Sequence, residues 1–249
     1  MSRVAVPPRS RRGADAGPAE IGDATAPSAP PGRSRFQRAR RPAEKDLRRN
    51  SVLRAARQLS LAAGPMALTM GELGRRSGVS KANIYRYFES REEVLLQLLV
   101  VELGAFVVSL ERSLPATVDQ LDAVADRLAR GYLARPLLCQ LLSMMSAVLE
   151  HNVSAPALAR AKDQLTEFSA RLAAALAQAL PRLSTEQAAW AMQNVGLYVA
   201  GMWPSAHPSA VAAQVMRVPA YAPLRVHAGR DLRRLISVLL GGLLAAGPT

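Results

Sequence analysis

The stretch TMGELGRRSGVSKANIYRYFESREEVL, residues 69–95, decides how this chain is read. Thr69 followed by Glu72 has the form of a capping box, in which hydroxyl and carboxylate satisfy each other's free backbone N–H groups, so a helix opens there. It closes near Ser77-Gly78, because glycine adopts the positive φ of a tight turn. Ser80 can cap a further short helix that runs through Tyr87. Two short helices joined through Ser77-Gly78-Val79 make a helix-turn-helix, and the second carries Lys81, Asn83, Tyr85, Arg86 and Tyr87 within seven residues. Ammonium, amide, guanidinium and phenol groups are those that reach base edges and hold phosphates. Ser90 and Glu93 form another capping box, which opens a long helix to about Leu114, before Pro115.

Upstream of this stretch, from Glu44, the residues Leu47, Val52, Ala55, Ala56, Leu59 and Ala63 repeat at helical spacing until Gly64-Pro65 stops them. Downstream of Pro115 the helical signals continue without a convincing strand. Thr117 with Gln120 opens a fifth helix, and Pro136 suits the first turn of a sixth that His151-Asn152 would end. Leu165, Phe168, Leu172, Leu176 and Leu180 mark one stripe of a seventh, closed by Pro181, and Ser184 with Gln187 caps an eighth. A Pro-containing connection from about Pro204 to Pro223 leads to a ninth, where Leu232, Leu235, Ile236, Leu239, Leu240, Leu243 and Leu244 form a wide apolar face. The expected fold is all-α with about nine helices and no internal repeat.

Composition agrees with that reading. Of 249 residues 49% are hydrophobic, yet there are only two Trp, five Tyr and four Phe, so the core is mostly Leu, Ala and Val, which favours helices over sheets. The single cysteine, Cys139, excludes an intramolecular disulfide framework and any multi-thiolate metal site. The first ten residues lack the apolar core of a secretory signal, and no run approaches ~18 uninterrupted apolar residues, so a soluble cytoplasmic chain with no membrane partner is expected. Basic residues exceed acidic ones to give a net charge of +13, which makes nucleic acid the first partner to consider. The segment 1–43 holds nine arginines, three acids and seven prolines with almost no apolar periodicity, and is expected to be a disordered basic arm. The boundaries are then 1–43 for the arm, 44–95 for a DNA-binding domain and 96–249 for a second helical domain.

With these residues in place, the spacing from Thr69 through Gly78, Ser80, Lys81, Tyr85, Tyr87 and Phe88 to Leu95 resembles the tetracycline-repressor (TetR) family. The motif match covers roughly residues 44–95, and beyond them the likeness is one of helix count and length. Gly74 and Ser77 stand where the family commonly has alanine, Ala82 where it has glycine or proline, and Arg91 where it has lysine, all substitutions of like for like in size or charge. The resemblance implies that Thr69, Tyr85, Tyr87 and Arg91 hold phosphates, that Ser80, Lys81, Asn83 and Arg86 face the major groove, and that Val79, Ile84 and Phe88 point inward. It also implies a ligand-binding and dimerisation domain whose last two helices pair with a second copy. Trp190, Asn194, Leu197 and Gly201 on the eighth helix, and the wide Leu/Ile face of the ninth, are the residues that would meet there.

Polar or polarizable residues embedded in apolar helix mark a pocket: Met144, Glu150, His151, Trp190, Asn194 and Tyr198, with Cys139, Met145 and Gln193 nearby. Glu150-His151-Asn152 equally suits a helix C-terminus, where a cationic histidine is favoured. The leading expectation is a transcriptional repressor, binding a palindromic operator as a homodimer and released by a small apolar or amphipathic ligand. The alternative is a sequence-tolerant architectural or interaction protein without an inducer. An enzyme is not expected, and neither a cofactor nor a metal: three histidines (His151, His207, His227), one cysteine, no G-x-S-x-G elbow and no phosphate-binding loop leave no nucleophile, metal cage or phosphate cradle.

Overall fold

In the computed structural model, residues 33–247 are described, with side chains from residue 44 onward. The expected arm, 1–43, therefore lies largely outside the described residues. Helix α1 runs Arg33–Ala63, so its backbone begins N-terminal to Glu44. The remaining helices are α2 Met70–Ser77, α3 Lys81–Ile84, α4 Arg91–Ser113, α5 Leu121–Leu133, α6 Pro136–Met144, α7 Ala155–Ala179, α8 Thr185–Ala206, α9 Ala210–Val215 and α10 Ala228–Ala246. Among the described residues there are ten α-helices and no strand, one helix more than the sequence suggested, because α9 forms within the Pro-containing connection. From Pro42 onward the chain makes one unit.

Three of the expected start signals operate as hydrogen bonds. Ser184 Oγ accepts from Gln187 N at 3.1 Å while Ser184 N donates to Gln187 Oε1 at 3.0 Å, a complete capping box. Ser90 Oγ accepts from Glu93 N at 3.0 Å, but Glu93 Oε2 takes the Glu89 amide, at 2.6 Å. Thr69 Oγ1 accepts from Glu72 N at 3.2 Å and donates its own proton to Glu72 Oε2 at 2.8 Å, so this box is closed through the side chains. The signal at Thr117 works differently: Thr117 is buried in a 3-10 turn, Leu114–Thr117, and its hydroxyl donates to Leu114 O, so α5 starts only at Leu121. Likewise α6 does not run straight to His151. A π-helical turn, Met145–Leu149, follows it, and Glu150 ends it.

The long apolar helix α4 is the axis of the fold. Val94, Leu95, Leu96, Leu99, Phe106 and Val107 on it are inaccessible to solvent. This is the described helix long and apolar enough to cross a membrane, and most of it is buried inside the protein. Helices α5, α6 and α7 pack on it, and α8 packs on α6, α7 and α10. Helices α8 and α10 run antiparallel: Gln187 Nε2 at the start of α8 donates to Gly247 O, just past the end of α10, at 2.6 Å. The α7 stripe behaves as its spacing predicts, with Leu172, Leu176 and Leu180 buried and Leu165 and Phe168 packed at the margin. In α1, Val52, Ala55 and Ala56 are buried, whereas Leu47 is 63% exposed.

Candidate nucleic-acid interface

Two glycines set the geometry between α2 and α3. Gly78 has φ +71°, a left-handed conformation that ends α2 and reverses the chain. A Cβ at Gly74 would stand 3.2 Å from Val79 O and 3.6 Å from Lys81 N, so its absence lets the turn fold back onto α2. Ser77 Oγ accepts from Val79 N at 3.2 Å, and Ser80 Oγ caps α3 by accepting from Asn83 N at 3.3 Å. Regular α3 is short, Lys81–Ile84. Single turns continue it: Tyr85 N, Arg86 N and Tyr87 N donate to Lys81 O, Asn83 O and Ile84 O at 3.2, 3.1 and 2.9 Å.

Beneath this segment Val79, Ile84 and Phe88 are buried, joined to Leu73, Leu68 and Val52 in one core. Their burial turns the other residues outward. Ser80, Lys81, Tyr85 and Arg86 are exposed, Asn83 and Tyr87 are half-buried, and Tyr87 packs against the core edge. Among the described residues Lys81 and Arg86 side chains make no intramolecular hydrogen bond or ion pair, so both cations face water. Thr69 is exposed at the N-terminus of α2, where free N–H groups favour an anion. Arg91 is committed in part: Nε and Nη2 donate to Glu92 Oε1 at 3.0 and 2.7 Å, and Nη1 reaches Met66 O at 3.4 Å. The eight sequence-derived residues thus share one region, five of them fully or largely solvent-facing.

Two polar ties join α1 to α4, and neither was legible as a pair in the sequence. Arg49 Nη2 donates to Gln97 Oε1 at 2.6 Å, with its guanidinium 5.4 Å from the centre of the Phe88 ring. Arg57 Nε donates to Glu102 Oε1 at 2.6 Å. Gln97 and Glu102 are buried polar residues, with Glu92 and Glu93, among the apolar turns of α4, and that anomaly was the available signal. A third tie links α4 to the rest of the chain: Ser90 Oγ donates to Asn152 O at 2.5 Å, beyond the π turn, and Arg160 of α7 stands 4.0 Å from Glu93.

The six pocket candidates fall into two groups. Met144 is half-buried at the end of α6, Glu150 pairs with Lys162 at 2.5 Å, and His151 is exposed beside it. Trp190, Asn194 and Tyr198 lie four residues apart along α8, with Asn194 Nδ2 donating to Trp190 O at 2.8 Å and Trp190 itself 50% exposed. Burial, and secondarily the negative charge of Asp231, holds the Tyr198 phenol above its ordinary range. A cleft of about 390 Å³ is lined by Ser205, Ala213, Met216, Arg217, Arg225 and neighbours, and another of about 370 Å³ by Leu47, Arg48, Ser51 and the Ser77–Ser80 turn; neither includes any of the six. Cys139 is enclosed, its thiol donating to Tyr132 O at 3.4 Å and pushed up to about 12 by burial. Among the described residues no group of three or more His, Cys, Asp or Glu side chains could hold a metal ion.

A helix-turn-helix with outward cations, seated on a larger helical domain through α4, defines a DNA-binding regulator of transcription. Residues 52–98 match the domain described as bacterial regulatory proteins, tetR family, and residues 100–247 match the tetracyclin repressor-like C-terminal domain. The chain belongs to the TetR family. Its fold is similar to that of a TetR transcriptional regulator from Rhodococcus sp. RHA1, at 22% identity over 79% of this chain and 97% of that one, with a TM-score of 0.52. It is also similar to AlkX, a TetR family repressor from Dietzia sp. strain DQ12-45-1b, at 17% identity over 79% and 95% of the two chains, with a TM-score of 0.52. No curated protein matches the chain.

Proposed function

We propose that this regulator is a repressor that binds a palindromic operator as a homodimer and is released by a small apolar or amphipathic ligand. The observation that carries the DNA half of this reading is the outward row of Ser80, Lys81, Asn83, Tyr85 and Arg86 over a core of Val79, Ile84 and Phe88. Arg86 suits guanine O6 and N7 in the major groove, with Ser80, Lys81 and Asn83 beside it on base edges; Thr69, Tyr85, Tyr87 and Arg91 hold phosphates. One such segment reads a half-site, so specificity requires two copies related by a dyad. The antiparallel pair α8 and α10, with Leu197 and Val238 outermost, supplies a self-complementary face for the second copy.

Release follows from the ties on α4. A ligand seated among α5 to α8 displaces α4 or the Asn152 loop, and Arg49, Arg57 and Ser90 carry that displacement into α1 and the recognition segment. Ligand and operator then oppose each other reciprocally, with a coupling of about 1 to 3 kcal/mol. Footprinting on the DNA flanking the gene tests the reading: one protected palindrome is expected. Inserting five base pairs at its centre turns the half-sites to opposite faces and should abolish tight binding. Uniform protection of unrelated DNA, or binding indifferent to the insertion, would leave a sequence-tolerant DNA coat instead.

A further inference from the structure

The cleft of about 390 Å³ sits where the end of α8, the segment carrying α9 and the start of α10 meet. Its apolar lining is Ala206 from α8, Ala213 and Met216 from α9 and its last turn, and Val226 just ahead of α10, all four half-buried. Arg217, Arg225 and His227 line it as well. Apolar walls with a few polar groups to fix orientation are the make-up of a small-molecule site, and the volume lies at the small end of the usual range, roughly 300 to 1,000 Å³. The segment that forms one wall is fastened by polar bonds more than by packing, for α9 and the 3-10 turn after it, Pro219–Leu224, contain no buried residue. Ser209 Oγ accepts from Ala212 N at 3.3 Å, and Arg225 donates through Nε to Met216 O at 2.7 Å and through Nη2 to Arg217 O and Val218 O at 3.0 and 3.3 Å. A six-residue helix gains little by itself in water, so the α9 wall has contact left to gain from a guest.

The charge of the cleft selects an anion. No acidic residue occurs between Glu186 and Asp231 in the chain. Asp231 is already spent, its carboxylate accepting from Arg230 Nε at 2.8 Å and from His227 N at 2.7 Å. Among the described residues the exposed Arg217 guanidinium, Arg225 Nη1 and the His227 ring make no hydrogen bond or ion pair within the chain. We propose that this cleft is a binding site for an amphipathic monocarboxylate, distinct from the place proposed above for an inducer among α5 to α8 and independent of it. Arg217 takes the carboxylate in its planar fork, with Arg225 Nη1 and His227 as further donors in the same lining. One free guanidinium matches a head of single charge. The apolar part lies on Ala206, Ala213, Met216 and Val226, where the flexible thioether of Met216 adapts to it. The volume equals the share of about thirteen waters at roughly 30 Å³ each, so the guest has about ten to thirteen heavy atoms. Once seated, it braces α9 against the ends of α8 and α10.

The test titrates octanoate into the full chain by calorimetry, with 1-octanol and octylamine as its neutral and cationic counterparts. Octanoate should bind at one site per chain, and each counterpart at least tenfold more weakly. Arg217→Gln should weaken octanoate at least tenfold and erase its advantage over 1-octanol, while Arg217→Lys, which keeps the charge, should restore part of it. Ala213→Trp, which fills the cleft, should remove binding; circular dichroism checks that each variant is folded. Backbone amides of 210–217 should exchange more slowly in the wild type when octanoate is present. Octanoate bound equally by wild type, Arg217→Gln and Ala213→Trp would place it elsewhere in the protein and overturn the cleft as its site, leaving the inducer reading standing. 1-Octanol or octylamine bound as tightly as octanoate would overturn the recognition of an anion. No saturable binding of octanoate up to millimolar concentration would overturn the proposal outright.

Discussion

Removing Arg57 should harm this protein more than removing the acid it holds. The Glu102 side chain is 8% exposed and the Arg57 side chain 52%, so the pair has one end in the core and the other in water. Breaking a fully buried pair by deleting one partner costs about 3 to 5 kcal/mol, and an exposed pair contributes about 0 to 1 kcal/mol. Arg57→Ala strands a carboxylate where water scarcely reaches, so about 1.5 to 3 kcal/mol is expected. Glu102→Leu strands only a half-exposed guanidinium that water can solvate, and puts an apolar residue of similar volume into the core, so about 0.5 to 1.5 kcal/mol is expected. In the double variant no buried charge is orphaned, and its stability should fall within about 1 kcal/mol of Glu102→Leu alone. Urea denaturation followed by circular dichroism, at one fixed protein concentration, reads these differences as shifts of midpoint at constant slope. Arg57→Ala as well tolerated as Arg54→Ala, or less costly than Glu102→Leu, would refute the claim that α1 and α4 are joined through a buried acid.

Arg86→Ala should relax discrimination at one base pair per half-site by about 1 to 3 kcal/mol, whereas Tyr85→Phe should weaken binding to all sequences alike; competition against single-substitution operators separates the two. Deleting residues 1–43 should lower affinity for every DNA sequence and reduce the slope of log K against log salt by roughly 0.9 for each phosphate the arm no longer neutralises, while an unchanged slope would leave the arm without a role on DNA. Cys139, with its thiol pushed up to about 12 by burial, should resist a thiol reagent at neutral pH in the native protein and react promptly in urea. Rapid labelling without denaturant would show that the region around Tyr132 opens readily.

Local chemistry made the DNA-binding end legible and the other end less so. Thr69, Ser77-Gly78 and Ser80 each announce themselves, because a cap or a left-handed turn is settled by a few neighbouring residues. The same holds for Ser184 with Gln187. Thr117 shows the limit: its hydroxyl found Leu114 O, a choice made by the burial of the turn rather than by the spacing to Gln120. The ties of Arg49 to Gln97 and Arg57 to Glu102 span 48 and 45 residues, and nothing local specifies a partner at that distance. The pocket candidates were chosen for polarity within apolar helix, a criterion that cannot tell an inward side chain from one like Trp190, half open to solvent. Helix α9 escaped notice because it sits among prolines and spans only six residues, too few for the spacing of Val211 and Val215 to establish a helical period.

The wide turn at Met145–Leu149 accommodates one residue more than an α-helix of the same hydrogen-bond count. Such a bulge can migrate along a helix by exchanging one set of backbone bonds for the next, without unwinding either end. Each residue it travels rotates what lies between its old and new positions by about 100°. Directly after the turn the helix ends and Glu150 to Asn152 follow, whose carboxylate holds Lys162 and whose carbonyl receives the Ser90 hydroxyl at the root of α4. A chain one residue shorter in this stretch would have a plain α-helical turn here, re-aiming the buried Leu149 and setting the Glu150–Asn152 loop, with the carbonyl that holds Ser90, at a different angle to α4.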